Sequence, residues 1–237
     1  MKHNGLFTSH YSLLTHKCAF TLAEVLITLG IIGIVAALTI PSLITNYKAR
    51  KLRTQFLKSY STVQQVFKQM EDDGVSLNAT DYKHGTYYKV FAKYLAGVTE
   101  CGLYGNECYD VSFSCHKYLN MNKLKGTGIT NHLDDGQLLL SDGTVLMFDN
   151  LAGVGSPVLV SVDLNGFKNP PNRFGYDVFT FQLVDENLKT MGDKNTMYAD
   201  IDKYCSLDSK DKYNGIACAQ KARSESDYFK WAVKNLK

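Results

Sequence analysis

The longest uniform stretch of the chain is apolar: residues 25–44 read VLITLGIIGIVAALTIPSLI, twenty residues without a charge. At about 1.5 Å per helical residue the run spans roughly 30 Å, the thickness of a bilayer's hydrocarbon core. After Asn46 the pattern turns amphipathic. Leu52, Phe56, Tyr60, Val63, Phe67 and Met70 recur at steps of four, four, three, four and three, with Lys48, Arg50, Lys51, Arg53, Lys58 and Lys68 mostly between them. That period is helical, and its apolar stripe suits packing against a head domain. Glu71-Asp72-Asp73-Gly74 closes the pattern, Gly74 being a suitable helix stop. One helix from about Leu22 to Asp72 is predicted. Pro41 removes the N–H that would bond the Ala37 carbonyl, so a kink or melted turn is expected near residues 37–41.

Beyond Gly74 the periods shorten. Residues 75–131 are loop-rich, with one helical-looking stretch over 88–95. Residues 137–141 (QLLLS) and 144–148 (TVLMF) flank Asp142-Gly143, which predicts a hairpin with a two-residue turn. Residues 157–163 (PVLVSVD) and 177–184 (DVFTFQLV) predict two further strands, and residues 217–236 a final helix. A four-stranded antiparallel sheet laid on the helix stripe gives an α+β head.

The apolar run is unlike an ordinary secretory signal. Such signals carry a basic region directly before the run, whereas Glu24 stands here, and the helix continues without a polar break into its amphipathic half. A lipoprotein signal is excluded because Cys18 precedes the run. A carboxylate at the edge of a lipid-embedded helix costs a few kcal/mol unless paired. Glu24 lies four residues after Phe20, on one helical face with it. Cleavage between Ala19 and Phe20 would create an α-amine able to neutralise this acid on the same or a neighbouring chain.

Lys17-Cys18-Ala19, the following Phe20-Thr21-Leu22-Ala23-Glu24-Val25-Leu26-Ile27-Thr28-Leu29, the long apolar stretch and Pro41 resemble the type IV pilin and type II secretion pseudopilin superfamily. The resemblance covers roughly residues 17–45 and implies a pilin-like fold. It implies cutting by a prepilin peptidase between Ala19 and Phe20, N-methylation of Phe20, and an assembly role for Glu24. Pro41 would let stacked helices extend or slide. The family usually places Gly before the Phe; here Ala19, the next smallest side chain, stands there. Implied partners are copies of the chain or other pilins and pseudopilins, the prepilin peptidase, an inner-membrane assembly platform and the lipid bilayer. The implied location is the bacterial inner membrane, single-pass, with the head outside the cytoplasm, then a periplasmic or surface filament. The resulting map is a leader over 1–19, a transmembrane and assembly helix over 20–44, its amphipathic continuation over 45–73 and the head over 74–237.

Charge bears on orientation. Lys48, Arg50, Lys51 and Arg53 outnumber Lys2 and Lys17, so the charge rule alone would hold the head's side in the cytoplasm. The family's cytoplasmic-side peptidase and the head's cysteines require the reverse. Removing the leader takes two of the 26 basic side chains and leaves a balance near the 23 acids, with no global pull toward nucleic acid. Of Cys18, Cys101, Cys108, Cys115, Cys205 and Cys218, five survive that removal, enough for at most two internal bridges. No Cys-x-x-Cys suggests zinc. One bridge among Cys101, Cys108 and Cys115 is expected, with the pair left open. Cys205 and Cys218 enclose twelve residues, and pilins of this superfamily often clamp their C-terminal segment with such a bond, worth about 3 kcal/mol.

Between the last two predicted strands, the oxygen-bearing Asp163, Asn165, Asn169, Asn172 and Asp177 suit calcium, with Asp163, Asn165 and Asp177 as the nearest candidate ligands. The spacing is not that of an EF-hand, and Asn, Gly and Pro also serve any tight connection. Some secretion pseudopilins hold calcium in this part of the head. No cofactor is otherwise required. No Gly-x-Ser-x-Gly, His-Glu-x-x-His or phosphate-cradling loop occurs, and His84, His116 and His132 are scattered. The chain reads as a non-enzyme: a filament subunit first, and alternatively a membrane-tethered extracytoplasmic ligand-binding protein that does not polymerise.

Overall fold

A computed structural model describes residues 20–108, 117–125, 128–150 and 157–236. The chain divides into two units, 1–43 and 44–237. The described part of the first unit is one helical segment. It belongs to α1 (Leu22–Asp72), a helix of 51 residues whose assignment continues through Pro41, so of the kink or melted turn expected near 37–41 the melted turn does not occur. The apolar side chains of this segment are exposed on every side, among them Leu26, Ile32 and Leu38.

In the second unit, residues 44–72 of α1 bury Leu52, Phe56, Tyr60, Val63, Phe67 and Met70, the stripe read from the sequence. α2 (Tyr87–Ala92) follows, then a sheet of six antiparallel strands in simple chain order: β1 (Thr99–Glu100), β2 (Gln137–Leu139), β3 (Val145–Asn150), β4 (Val158–Asp163), β5 (Val178–Val184) and β6 (Asn187–Thr190). Three short helices close the unit: α3 (Ile201–Tyr204), α4 (Cys218–Ser224) and α5 (Tyr228–Asn235).

Phe56 joins these layers. Its ring meets Phe179 of β5 at 4.9 Å and Phe181 at 5.7 Å, both edge-on, and Phe229 of α5 at 5.7 Å. Such aromatic pairs add to the gain from area removed from water. One turn on, the Tyr60 hydroxyl donates to the Leu188 carbonyl at 2.8 Å, tying α1 to edge strand β6. Further along, Phe67 packs edge-on against Phe91 of α2 at 5.3 Å.

The α+β, pilin-like fold class holds, but the sheet has six strands rather than four. β1 is two exposed residues, paired through Thr99 with Leu139 and Glu100 with Leu138, too short to carry a period. β6 returns from β5 through a turn of only Asp185 and Glu186, which lacks the usual glycine. The predicted β2–β3 hairpin is present with a longer loop. Leu140 and Thr144 face each other, the Leu140 N–H donating to the Thr144 carbonyl, and Gly143 takes the left-handed conformation of a three-residue turn. The helix expected over 217–236 is two helices. It opens at Ser226, whose carbonyl accepts from the Arg53 guanidinium of α1 at 2.7 Å.

Two disulfides form among the described residues, Cys101–Cys108 and Cys205–Cys218. The first resolves the open pairing for two of its three candidates; Cys115 lies outside the described residues. The second closes the loop that brings α4 back to α3.

Candidate functional site

Two places carry the chemistry expected from the sequence. The first is the start of α1. Phe20 is exposed and stands two residues before the first residue of the helix, while Ala19, its partner in the expected cleavage, lies outside the described residues. Thr21 and Glu24 form a capping box. The Thr21 N–H and hydroxyl both donate to Glu24 Oε2 at 2.8 Å, and the Glu24 N–H donates to Thr21 Oγ1 at 3.2 Å. Glu24 therefore has a structural task in the single chain, closing N–H groups that a helix start leaves open. The Thr-x-x-Glu spacing announced it, and the sequence reading passed over it.

The helix beyond is long and apolar enough to cross a membrane. A helix apolar all round is stable only when lipid or other helices surround it. Gly30 and Gly33 have open space where a side chain would begin, so a neighbouring backbone meets no obstacle there.

The second place is the β4–β5 connection of the head. Asp163, at the end of β4, is fully buried. Its Oδ1 accepts from the N–H groups of Asn165 and Gly166, and its Oδ2 from the Tyr118 hydroxyl at 3.0 Å. Asp177 is buried beside it, accepting from the Arg173 N–H at 2.6 Å and the Asn172 N–H at 3.1 Å. The connection thus folds around two carboxylates that supply its missing backbone partners. Burial, and then the charge of Asp177, push the Asp163 carboxyl well above the usual carboxylate range. Burial likewise raises Asp177, against the lowering effect of the amides it accepts from.

The expected ligand residues Asp163, Asn165 and Asp177 therefore do come together, with Asn172. The Oδ1 atoms of Asn165 and Asn172 are buried without a hydrogen-bond partner. Asn169 turns away, exchanging side-chain and backbone bonds with Asn165 at 2.6 and 2.7 Å. Among the described residues no group of three or more His, Cys, Asp or Glu assembles. A cation here would rest on two acids and amide oxygens, an all-oxygen set that suits calcium rather than zinc.

Sequence reasoning missed two residues. Arg173 is buried and donates through Nε to the Met121 carbonyl at 3.0 Å and through its guanidinium to the Leu236 carbonyl, clamping the connection to the chain's last turn. His132, read as scattered, sits in a buried chain: Nδ1 meets Asp149 Oδ2, and Nε2 meets the Tyr198 hydroxyl at 2.8 Å. Nearby, His84 pairs with Asp135 at 3.0 Å. Burial and the adjacent Asp135 charge push Asp134 up to about 6. Both ring nitrogens of His132 are engaged, so it holds the turn at 128–132 against β3 and leaves no nitrogen for a substrate. His116 lies outside the described residues. Neither residue had a readable signal, because the partners are brought from far along the chain.

Residues 14–40 match the model of the prokaryotic N-terminal methylation motif, the prepilin-type motif of type IV pilins and pseudopilins. The match takes in residues 14–19 at the end of the expected leader, Phe20, Glu24 and most of the apolar stretch of α1. No curated protein and no solved structure matches the chain.

Proposed function

We propose that this chain is a structural subunit of a type IV pilus-like or type II secretion pseudopilus filament. A prepilin peptidase cuts it between Ala19 and Phe20, Phe20 is methylated, and the subunit then leaves the inner membrane through an assembly platform to join copies of itself or related pilins. One observation carries the reading: the methylation motif takes in the start of a helix whose large apolar side chains from Leu22 to Ile44 are exposed among the described residues. Such a surface needs lipid before assembly and neighbouring helices afterwards. No catalytic role is assigned to the head.

Intact mass of the mature chain, from cells with and without the peptidase, tests this. Loss of residues 1–19 together with one added methyl group is expected only where the peptidase is present. A mature chain that keeps Met1, or starts near Leu38 as ordinary signal cleavage after the small residues Val35-Ala36-Ala37 would leave it, overturns the subunit reading. A tethered ligand-binding protein would keep the anchor and never enter sheared fibres.

The all-oxygen cluster supports a calcium site in the head. Asp163 and Asp177 would hold the ion with Asn165 and Asn172, and its charge would relieve the repulsion between the two acids. Calcium should then raise the thermal midpoint of the protein by several degrees over chelator at pH 8. Equal midpoints would remove the proposal.

A further inference from the structure

A groove of about 930 Å³ opens in the head between the end of α1 and the β5–β6 turn, lined in part by Glu71, Leu77, Asp185, Glu186 and Met197. No lysine, arginine or histidine is among the described residues that line it. Glu71 is paired with Lys68 at 2.9 Å; Asp185 and Glu186 meet no cation among the described residues. These two acids form the whole two-residue turn, and both hold left-handed backbone, φ 47° and 61°. A non-glycine residue there is strained by about 1 kcal/mol or more, and Asn-Gly is what such a turn prefers. Two acids are thus kept at the groove's mouth where local stability asks for something else.

The complementary surface is on the same chain. Lys48, Arg50 and Lys51 are exposed, and none meets an acid among the described residues, unlike Lys58, which pairs with Asp142 at 2.6 Å. At 3.6 residues per turn, Arg50 and Lys51 project away from the Phe56–Val63 stripe. While the subunit sits in the bilayer, cations just beyond the apolar run can lean on anionic lipid headgroups. Leaving the bilayer strips those phosphates away, and the exposed cations are then free to pair with carboxylates of a neighbouring subunit.

We infer that in the filament the Lys48–Lys51 segment of one copy docks on the acidic mouth, Asp185 and Glu186, of a second copy's groove. This rests on the subunit reading above. Arg50 and Glu71 are 21 residues apart on α1, so the two copies would be offset by roughly 30 Å along parallel helices. Two carboxylates in place of phosphates offset most of the segment's three positive charges through the transfer, and the exchange makes leaving the membrane selective for a neighbour already in place.

The test is the amount of processed full-length chain in sheared filaments relative to the membrane fraction. Asp185→Asn with Glu186→Gly removes both charges while relaxing the turn, so the thermal midpoint should not fall, yet incorporation should drop at least tenfold. Asp185→Lys with Glu186→Lys, and separately Lys48→Glu with Arg50→Glu and Lys51→Glu, should each fail similarly. Combining the two reversals should restore at least half of the wild-type amount. A Glu186→Cys, Arg50→Cys chain should give a disulfide-linked dimer in filaments that neither single variant gives. If filaments form and the charge-removed chain assembles like wild type, or the combined reversal fails to rescue, the interface is wrong and the subunit reading stands. If the wild-type chain forms no filament at all, both fall together.

Discussion

Glu24→Ala is expected to leave the chain inserted in the membrane and trimmed, yet to reduce its amount in sheared filaments at least tenfold. Insertion rests on twenty apolar residues, and removing a carboxylate from their edge makes it easier by up to a few kcal/mol. Inside a bundle of helices the balance reverses. The α-amine created at Phe20 is then desolvated, and a buried unpaired charge is worth several kcal/mol of destabilisation. The capping box complicates this, because Ala also removes the bonds from Thr21. Loss of that cap costs about 1 kcal/mol and frays one turn. Glu24→Gln separates the two effects. Glutamine serves the same position in a capping box but carries no charge, so it should keep the helix start and still fail to assemble. If Glu24→Gln enters filaments at the wild-type level while Glu24→Ala does not, capping is the whole role, and the charge pairing with Phe20 is wrong.

What could be read in advance follows from how local each signal is. The helix is a matter of period alone, and both of its ends, Leu22 and Asp72, match the predicted bounds. β3, β4 and β5 announce themselves as apolar runs bounded by turn residues. β1 and β6 do not, because two to four residues on a sheet edge are ordered by their neighbours rather than by their own pattern. At Pro41 the expected melted turn is absent because helix continues on both sides, and the Thr39 hydroxyl donates to the Val35 carbonyl at 2.8 Å and the Ser42 hydroxyl to the Thr39 carbonyl at 3.0 Å within the same turns. In the head, Asp163 and Asp177 were legible as oxygen donors. The Tyr118 hydroxyl that holds Asp163, and the Arg173 that clamps the same connection to the C-terminus, depend on contacts spanning 45 and 63 residues, which no local pattern encodes.

The buried pair also sets the largest effect expected in the head. Asp177→Ala removes the acceptor for two buried N–H groups, those of Asn172 and Arg173. At about 1–3 kcal/mol for each orphaned donor, the head should lose about 3–5 kcal/mol, enough to unfold a marginal domain. Asp177→Asn keeps one acceptor oxygen and removes the like charge facing Asp163, so its cost should depend on pH. Both acids are raised above the ordinary value of 3.8, so the folded head holds protons that the unfolded chain releases. The stability this provides is complete at acid pH and is lost as pH rises through the folded values toward neutrality. With chelator present, the wild-type thermal midpoint should therefore fall from pH 5 to pH 8, whereas the Asp177→Asn midpoint should fall much less. The variant should look worst at pH 5, where it has lost a hydrogen-bond acceptor and relieved no repulsion. It should approach or overtake the wild type at pH 8, where the two carboxylates of the native head repel each other. Parallel midpoint curves for the two proteins would mean that repulsion between Asp163 and Asp177 is not what makes this head sensitive to alkali.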